Sequence, residues 1–338
     1  MATGWCGVPS SSLDPPRQTP SFSHITYSRV LLRQAEGLTD KEGESIGHHH
    51  NQSLPERRPW PGREPQRPLD SEEVAQEAVR CHEAGACIVH FHARGLGGEA
   101  SYETDWYAQT DGLIRSRCDL VLNHTTARRA DVPVEAVTRY LLDTPNPVEM
   151  VSLNLGQGAR WAPMSEGGSR RTTISPNSYE DIIATLDACY SRGTFPEPAV
   201  HDTGMLNNAI TLIREGHIKS HRYFLVEPGA HWGDGRQSMV GSPRNYFMLT
   251  ENIREFYPEA TWLAHSSGDQ TFVIAGIAIA TGAHIRVGFE DSPFLPNNPS
   301  PTSNAQYIDW AVTMARHQGR EPATPAQARE ILGLLPTL

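Results

Sequence analysis

An apolar run of this chain ends in two histidines, His90 and His92, separated by one residue. In an extended strand, side chains two positions apart point to the same face, so the two imidazoles are expected side by side, with Ile88 before them. The opposite face would hold the intervening residues Cys87, Val89 and Phe91. Two adjacent imidazoles can bind one divalent metal ion, with zinc the leading candidate. Two hydrogen-bonded histidines at a strand end are the alternative, and the spacing alone leaves both open.

A second polar group closes the last apolar strand of the sequence. Arg286, Gly288 and Glu290 alternate along it and share one face, so Glu290 can supply an oxygen ligand opposite the two imidazoles. Gly288 leaves room for Arg286 to lie along the wall, and Asp291 follows at the rim. Three protein ligands with an open fourth position are the catalytic arrangement for zinc. An ordinary ion pair between Arg286 and Glu290 is the simpler interpretation of those two residues.

These residues need a scaffold that brings distant strand ends together, and a regular one is visible from Leu69 onward. Asp70 followed by Glu73 resembles a capping box that opens the first clear helix. The predicted helices are 70–83, 102–116, 133–143, 177–192, 205–218, 243–257, 270–280, 303–317 and 325–333. Short apolar strands alternate with them. Including a weaker strand at 24–32, eight strands predict a (β/α)8 TIM barrel. A dinucleotide-binding sheet is the weaker choice, because no Gly-rich phosphate loop follows the first clear strand.

The active site of such a barrel lies at the carboxyl ends of its strands. Nearly every clear strand of this chain ends in chemically capable side chains: His90, His92, His124, Thr125, Thr126, Asn154, His201, Asp202, Glu227, His265, Ser266, Glu290 and Asp291. Loops begin at strand ends, which explains some polar residues there but not this many histidines and carboxylates. The pattern therefore favours a metal at His90 and His92.

Composition restricts the remaining possibilities. The 338 residues carry a formal charge of −10, which argues against nucleic acid or an anionic membrane as the main partner. No run approaches the roughly 18 apolar residues of a membrane span. Five cysteines without a Cys-x-x-Cys pair indicate a reducing, cytoplasmic setting. We expect a disordered tail at 1–22 and a single barrel domain at 23–338 that carries a long polar insertion at 37–68.

Several segments, in order over about 70–334, resemble the β-keto acid cleavage enzyme family, typified by 3-keto-5-aminohexanoate cleavage enzyme. The matching segments are His90-Phe91-His92-Ala93-Arg94, Asn123-His124-Thr125-Thr126, the stretch 149–156, the stretch 286–291, Ser303-Asn304-Ala305-Gln306 and the stretch 323–333. The resemblance implies a zinc-dependent (β/α)8 barrel, commonly a homotetramer. Such an enzyme condenses a β-keto acid with acetyl-CoA, giving acetoacetate and a new acyl-CoA.

Carried over residue by residue, the resemblance implies zinc ligands at His90, His92 and Glu290. It implies a catalytic pair of Arg286 and Asp291. The substrate contacts that it implies are Thr125 and Asn154.

Two departures from the family pattern concern the walls of the site. The segment 24–32 does not match the family's first strand, which in some members supplies a carboxylate facing the metal; Glu36 is only a loose match for it. Some members also bind a substrate amino group through a glutamate of the fifth strand. The corresponding position here is Ala199 or Glu197, and His201 replaces an aromatic residue. This difference argues against a cationic amino-keto acid as the substrate.

Two other functions compete with this one. A metal-dependent amidohydrolase also uses a His-x-His pair in a barrel, but usually on the first strand, with a lone Asp on the last. A non-catalytic small-molecule-binding barrel is the second rival, and only the unmatched first strand supports it.

Overall fold

The computed structural model describes residues 26–34, 70–93, 101–128, 131–161, 172–229, 231–232, 235–236, 239–296 and 301–334. Eight of the described strands close into a barrel, which confirms the predicted fold class. In chain order they are β1 Thr26–Val30, β2 Ile88–Phe91, β3 Val121–Thr125, β4 Met150–Asn154, β5 Phe195–Val200, β6 Tyr223–Val226, β7 Thr261–Ala264 and β8 His284–Gly288. The predicted tail at 1–22 and insertion at 37–68 lie outside the described residues, so both stay predictions.

The helices around the barrel each overlap a predicted one. They are α1 Ser71–Glu83, α2 Thr104–Arg115, α3 Val134–Asp143, α4 Tyr179–Ser191, α5 Thr203–Arg214, α6 Pro243–Phe256, α7 Thr271–Ala280, α8 Ala305–His317 and α9 Pro325–Leu332. Helix α1 begins as its sequence predicts, because the Asp70 carboxylate accepts the backbone N–H of Glu73 at 2.8 Å. None of the helices in the described ranges is long and apolar enough to cross a membrane.

Short strands pair outside the barrel, and one pair closes its lower end. Leu32–Gln34 runs antiparallel to Arg320–Pro322. Two further hairpins lie in loops, one formed by Gly158–Trp161 with Thr172–Ser175 and the other by His231–Trp232 with Gly235–Arg236. A 3-10 turn at Gly268–Gln270 leads into α7.

The apolar core has an outer and an inner part. The larger cluster packs outward-facing strand residues, such as Val89 and Phe91, against the helices. The inner cluster fills the lower lumen, and Ala328 and Leu332 of α9 belong to it together with inward-facing residues such as Ile88. Cys87 belongs to this inner cluster, so its predicted place beside Val89 and Phe91 is wrong. Cys87 lies before the first residue of β2, and strict alternation of faces applies only within the regular strand.

Strand β1 is reversed relative to the rest of the barrel. It pairs antiparallel with β2 and β8, placing Tyr27 opposite His90 and Gly288, whereas the other barrel pairings are parallel. The expected parallel first strand is therefore wrong in direction. Burial gives a physical reason: the apolar end of the strand is Val30-Leu31-Leu32, and reversal buries it at the closed end instead of carrying it to the polar mouth. Glu36 lies outside the described residues.

Candidate active site

All seven predicted site residues line one small polar cavity at the carboxyl ends of the parallel strands. The cavity has a volume of about 30 Å³, room for a water-sized group or an ion. The predicted residues in its wall are His90, His92, Thr125, Asn154, Arg286, Glu290 and Asp291. The rest of the wall comes from Ala127, Ser152, Glu227, His265 and Ser267. The structure thus brings together residues that are 201 positions apart in sequence, from His90 to Asp291.

The two histidines meet through the nitrogens that would face a metal. Nε2 of His90 lies 3.2 Å from Nε2 of His92, and the ring planes are nearly perpendicular at 87°. Tetrahedral zinc with Zn–N bonds of about 2.0–2.1 Å places two ligand nitrogens roughly 3.3 Å apart. On the other side of the His90 ring, Nδ1 lies 2.6 Å from Oδ1 of Asn123 and can donate to it. Burial lowers the pKa of His90 well below its usual value, as do the charges of His92 and Arg286.

A turn directly after β8 aims two carboxylates into the cavity. The strand ends at Gly288, and the backbone N–H of Asp291 returns to the Gly288 carbonyl at 3.0 Å. The Asp291 carbonyl is held by the N–H of Gly268 at 2.6 Å and by the hydroxyl of Thr271 at 2.9 Å. Strict alternation would send Glu290 and Asp291 to opposite faces. The turn is the reason that both line the cavity.

Arg286 lies among three carboxylates. Its guanidinium nitrogens are 3.2 Å from Glu290, 3.5 Å from Asp291 and 3.6 Å from Glu227. Burial and the neighbouring charge of Asp291 raise the pKa of Glu290 well above its usual value. This concentration of buried negative charge favours a bound cation, because unpaired buried charges are costly.

Asp291 is the most enclosed carboxylate of the site, with its side chain 1% exposed. Nδ1 of His265 lies 3.1 Å from its Oδ1. Among the described residues, however, neither oxygen of this carboxylate receives a directed hydrogen bond. A buried carboxylate with this much unused acceptor capacity is well suited to take a proton from a bound substrate.

Three residues that sequence reasoning placed at strand ends, without assigning a role, form a network behind Asp291. Glu227 sits between His201, at 2.6 Å, and the Nε2 atom of His265. Burial alone would raise the pKa of Glu227, but the charges and hydrogen bonds of the two histidines hold it well below its usual value. Burial and Arg286 oppose protonation of His265, yet Glu227 and Asp291 raise its pKa. The sequence showed the strand-end histidines of this network, but it did not show which of them come into contact.

Four other strand-end residues, among them His124 and Asp202, do not line the cavity. His124 points outward into the helix layer, where its Nε2 atom lies 2.9 Å from Asp111 and its ring contacts Tyr107. Asp202 begins α5 instead, accepting the backbone N–H of Met205 at 2.9 Å. His124 and Asp202 both have a structural function. A polar residue at a strand end does not by itself indicate whether its function is structural or catalytic.

A polar layer beneath the cavity was not foreseen. Arg29 of β1 and Glu197 of β5 form an ion pair in the lumen, and both side chains are fully buried. Ser152 Oγ lies 2.9 Å from Arg29 Nη2 and 2.9 Å from Glu197 Oε2. Asn123 Nδ2 lies 3.3 Å from the same Glu197 oxygen. The sequence signal was an arginine within an apolar strand, but its partner depends on the direction of β1.

The donor set fits zinc in its chemistry, although it is not assembled as a three-ligand site. Among the described residues, no group of three or more His, Cys, Asp or Glu side chains is arranged to hold a metal ion. Glu290 is paired with Arg286 at 3.2 Å, and to bind a metal ion it would have to leave this partner. Two imidazoles and a carboxylate form a known catalytic zinc set, and an Asn123 contact behind His90 is the kind of outer partner such ligands have.

The chain matches a known protein family over most of its length. The family described as beta-keto acid cleavage enzyme matches residues 57–334. The chain belongs to the β-keto acid cleavage enzyme family. This match covers the barrel from α1 to α9 and confirms the resemblance inferred from the sequence motifs. It also favours β-keto acid chemistry over an amidohydrolase or a non-catalytic barrel.

Curated relatives align with this chain over most of their length. A 3-keto-5-aminohexanoate cleavage enzyme of Fusobacterium nucleatum is 30% identical over 268 residues, covering 79% of this chain and 90% of the relative. The enzyme of the same name from Acetoanaerobium sticklandii is 29% identical over 271 residues, covering 80% and 92%. A 3-oxoadipate:acetyl-CoA acetyltransferase of Cupriavidus necator is 25% identical, covering 83% and 92%.

Solved structures show the same fold. The structure of ObcA with oxaloacetate superposes with a TM-score of 0.63 at 20% identity, covering 79% of this chain and 67% of ObcA. Apo ObcA superposes with a TM-score of 0.62, and this chain spans 65% of its length. At this identity the likeness shows the barrel fold alone.

Proposed function

We propose that this chain is a zinc-dependent β-keto acid cleavage enzyme that condenses a β-keto acid with acetyl-CoA. One observation carries the proposal: the 3.2 Å approach of the His90 and His92 Nε2 atoms, in the same cavity as Glu290, Arg286 and Asp291. Three relatives are named as transferases that act on a keto acid together with acetyl-CoA, which supports acetyl-CoA as the second substrate.

The proposed roles follow from position and chemistry. His90, His92 and Glu290 would hold zinc, which when bound would polarise the keto group as a Lewis acid. Asp291 would accept a proton from the carbon between the keto and carboxylate groups. Arg286, 3.5 Å from Asp291, would hold that carboxylate in place.

The proposed reaction transfers one two-carbon unit between acyl groups. A β-keto acid R–CO–CH2–COO⁻ and CH3–CO–SCoA give CH3–CO–CH2–COO⁻ and R–CO–SCoA. Asp291 removes a methylene proton, and the carbon nucleophile attacks the thioester and expels the CoA thiolate. The thiolate then adds to the original keto carbon and breaks its bond to the methylene carbon. The carbanion of acetoacetate leaves and regains the proton from Asp291, so atoms and charges balance.

Two further residues are proposed to contact the substrate. The Thr125 hydroxyl accepts the backbone N–H of Ala127 at 3.0 Å, so its own proton can be donated into the cavity. Asn154, on the neighbouring strand β4, also lines the cavity, and its Oδ1 lies 3.1 Å from His201. Glu197 is absent from the cavity wall and its oxygens contact Arg29, Ser152 and Asn123, which argues against a role in binding a substrate amino group.

The test combines zinc-loaded protein, acetyl-CoA and a panel of β-keto acids, with acetoacetate as the readout. The names of the relatives suggest three distal groups for the panel: the cationic 3-keto-5-aminohexanoate and 3-dehydrocarnitine, the anionic 3-oxoadipate and the neutral 3,5-dioxohexanoate. We expect acetoacetate and a new acyl-CoA in equal amounts from at least one acid. No acetoacetate from any of them, with zinc bound, would overturn the proposal.

A cytoplasmic setting and a homotetrameric assembly belong to the same proposal. The cysteines Cys81, Cys87, Cys118 and Cys189 are free thiols, which fits a reducing compartment. Sedimentation of the purified chain would test the assembly.

A further inference from the structure

Beneath the two histidines, buried polar side chains form a continuous path from Arg29 to His90. Arg29 Nη1 pairs with Glu197 Oε1, Asn123 Nδ2 donates to Glu197 Oε2 at 3.3 Å, and Asn123 Oδ1 lies 2.6 Å from His90 Nδ1. We propose that Glu197, ion-paired with Arg29, is a positioning residue that orients Asn123 and thereby holds His90 as the tautomer protonated on Nδ1. This inference rests on the zinc site of the proposed function.

The direction of each hydrogen bond follows from donor and acceptor capacity. An ionised carboxylate only accepts, so Asn123 must turn its NH2 group toward Glu197. Its carbonyl oxygen then faces His90 and can only accept, so the hydrogen must sit on His90 Nδ1. Ser152 fits the same scheme: its hydroxyl accepts from Arg29, and its single proton can go to Glu197 Oε2 at 2.9 Å or to Asn123 Oδ1 at 3.2 Å, both of which accept in this scheme. Every contact in the path is consistent with the NH2 group of Asn123 facing Glu197 and its carbonyl oxygen facing His90.

The tautomer decides what His90 presents to His92. With the hydrogen on Nδ1, the Nε2 atom of His90 carries a lone pair that points toward the cavity, 3.2 Å from Nε2 of His92. With the hydrogen on Nε2, His90 would instead donate to His92 and occupy the position where a metal must bind. An oriented Asn123 therefore preorganises one of the two nitrogen ligands.

The first test measures zinc affinity by chelator competition, without substrate. Glu197→Gln should weaken Zn²⁺ binding by about 10–100-fold, the usual effect of losing an outer partner of a metal ligand. The amide introduced at position 197 can present either an oxygen or an NH2 group to Asn123, so it no longer fixes which group of Asn123 faces His90. Glu149→Gln is the matched control: Glu149 is also a buried carboxylate paired with an arginine, Arg329 at 2.6 Å, but does not contact His90 or Asn123. Its zinc affinity should equal that of the wild type.

Loss of the Glu197 charge leaves Arg29 buried without its partner, so Glu197→Gln can fail to fold. The double variant Arg29→Met/Glu197→Gln removes both charges and keeps the volumes similar. We expect it to fold and to bind zinc as weakly as the single variant should. A folded single or double variant with the zinc affinity of the wild type would overturn the inference.

The second test observes the tautomer directly in zinc-free protein by ¹⁵N NMR of labelled histidines. The His90 signals are assigned by their loss in His90→Gln. We expect the Nδ1–H form in the wild type and in Glu149→Gln, and a mixture of forms in the double variant. An Nε2–H form in the wild type would overturn the inference. Neither readout needs a substrate, so normal zinc loading without acetoacetate would count against the proposed activity alone.

Discussion

His265 connects two carboxylates of different strands, with Nε2 toward Glu227 and Nδ1 3.1 Å from Asp291. Arg286 is a second neighbour of the same Asp291 oxygen, with its guanidinium 3.5 Å away. The proposed base therefore lies beside both Arg286 and His265 in the same small cavity. Four changes would test how this site and its scaffold work.

Replacing His92 with alanine should lower zinc content. His92 would supply one of two nitrogen ligands, and we expect zinc affinity to fall by about 100-fold or more, beyond the ~10–100-fold effect of an outer partner. Metal analysis after dialysis and chelator competition would measure it. His221→Ala, at an exposed histidine stacked on Tyr257, is the control. Unchanged zinc content in His92→Ala would reject the ligand assignment.

Asp291→Asn should separate metal binding from turnover. The amide keeps the shape of the side chain but cannot accept the substrate proton, so turnover of the best β-keto acid should fall by about 10²–10⁴-fold. Zinc content should stay close to that of the wild type. Parallel measurements of turnover and metal content on one preparation would check both. A zinc-loaded variant with full turnover would show that another group is the base.

Arg320→Met should destabilise the closed end of the barrel. Arg320 donates to the backbone carbonyls of Ile279, Gly282, Ala283 and Leu32 at 2.6–3.1 Å and is 5% exposed. Losing these donors leaves buried carbonyls unpaired, so the free energy of unfolding should fall by about 3 kcal/mol or more. Urea denaturation would measure the change. Arg316→Met, at a side chain 60% exposed, should change it little; an equal effect of both would contradict the prediction.

His284 should make the fold sensitive to acid. Its Nδ1 accepts the backbone N–H of Leu32 at 3.1 Å, and burial, together with Arg320, lowers its pKa from 6.5 to about 3. The unfolded chain binds this proton first, so the stabilisation is complete above pH 6.5 and is lost as the pH falls toward 3. The loss amounts to at most about 1.4 kcal/mol per pH unit. His284→Gln should flatten the dependence in urea titrations across this range, and His221→Gln should not. An unchanged slope in His284→Gln would contradict the assignment.

Most of the barrel could be predicted because alternating strand and helix patterns are local. The direction of β1 could not, since strand polarity depends on which end finds an apolar partner. Its apolar end, with Leu31, packs at the closed end near α9, a contact between residues about 300 positions apart. The same limit applies to Arg29, because its partner Glu197 is known only once β1 is oriented.

The sequence by itself determined the barrel, the family and seven of the twelve residues that line its cavity, because strand ends of a parallel barrel meet at one mouth. Only the tertiary structure decided how those residues face each other. The turn after β8 brings Asp291 beside Glu290, His265 joins Asp291 to Glu227, and the buried pair of Arg29 and Glu197 supports His90 from below. These contacts cross the lumen between strands far apart in the chain, and their distances depend on barrel closure and strand direction, which no local pattern contains.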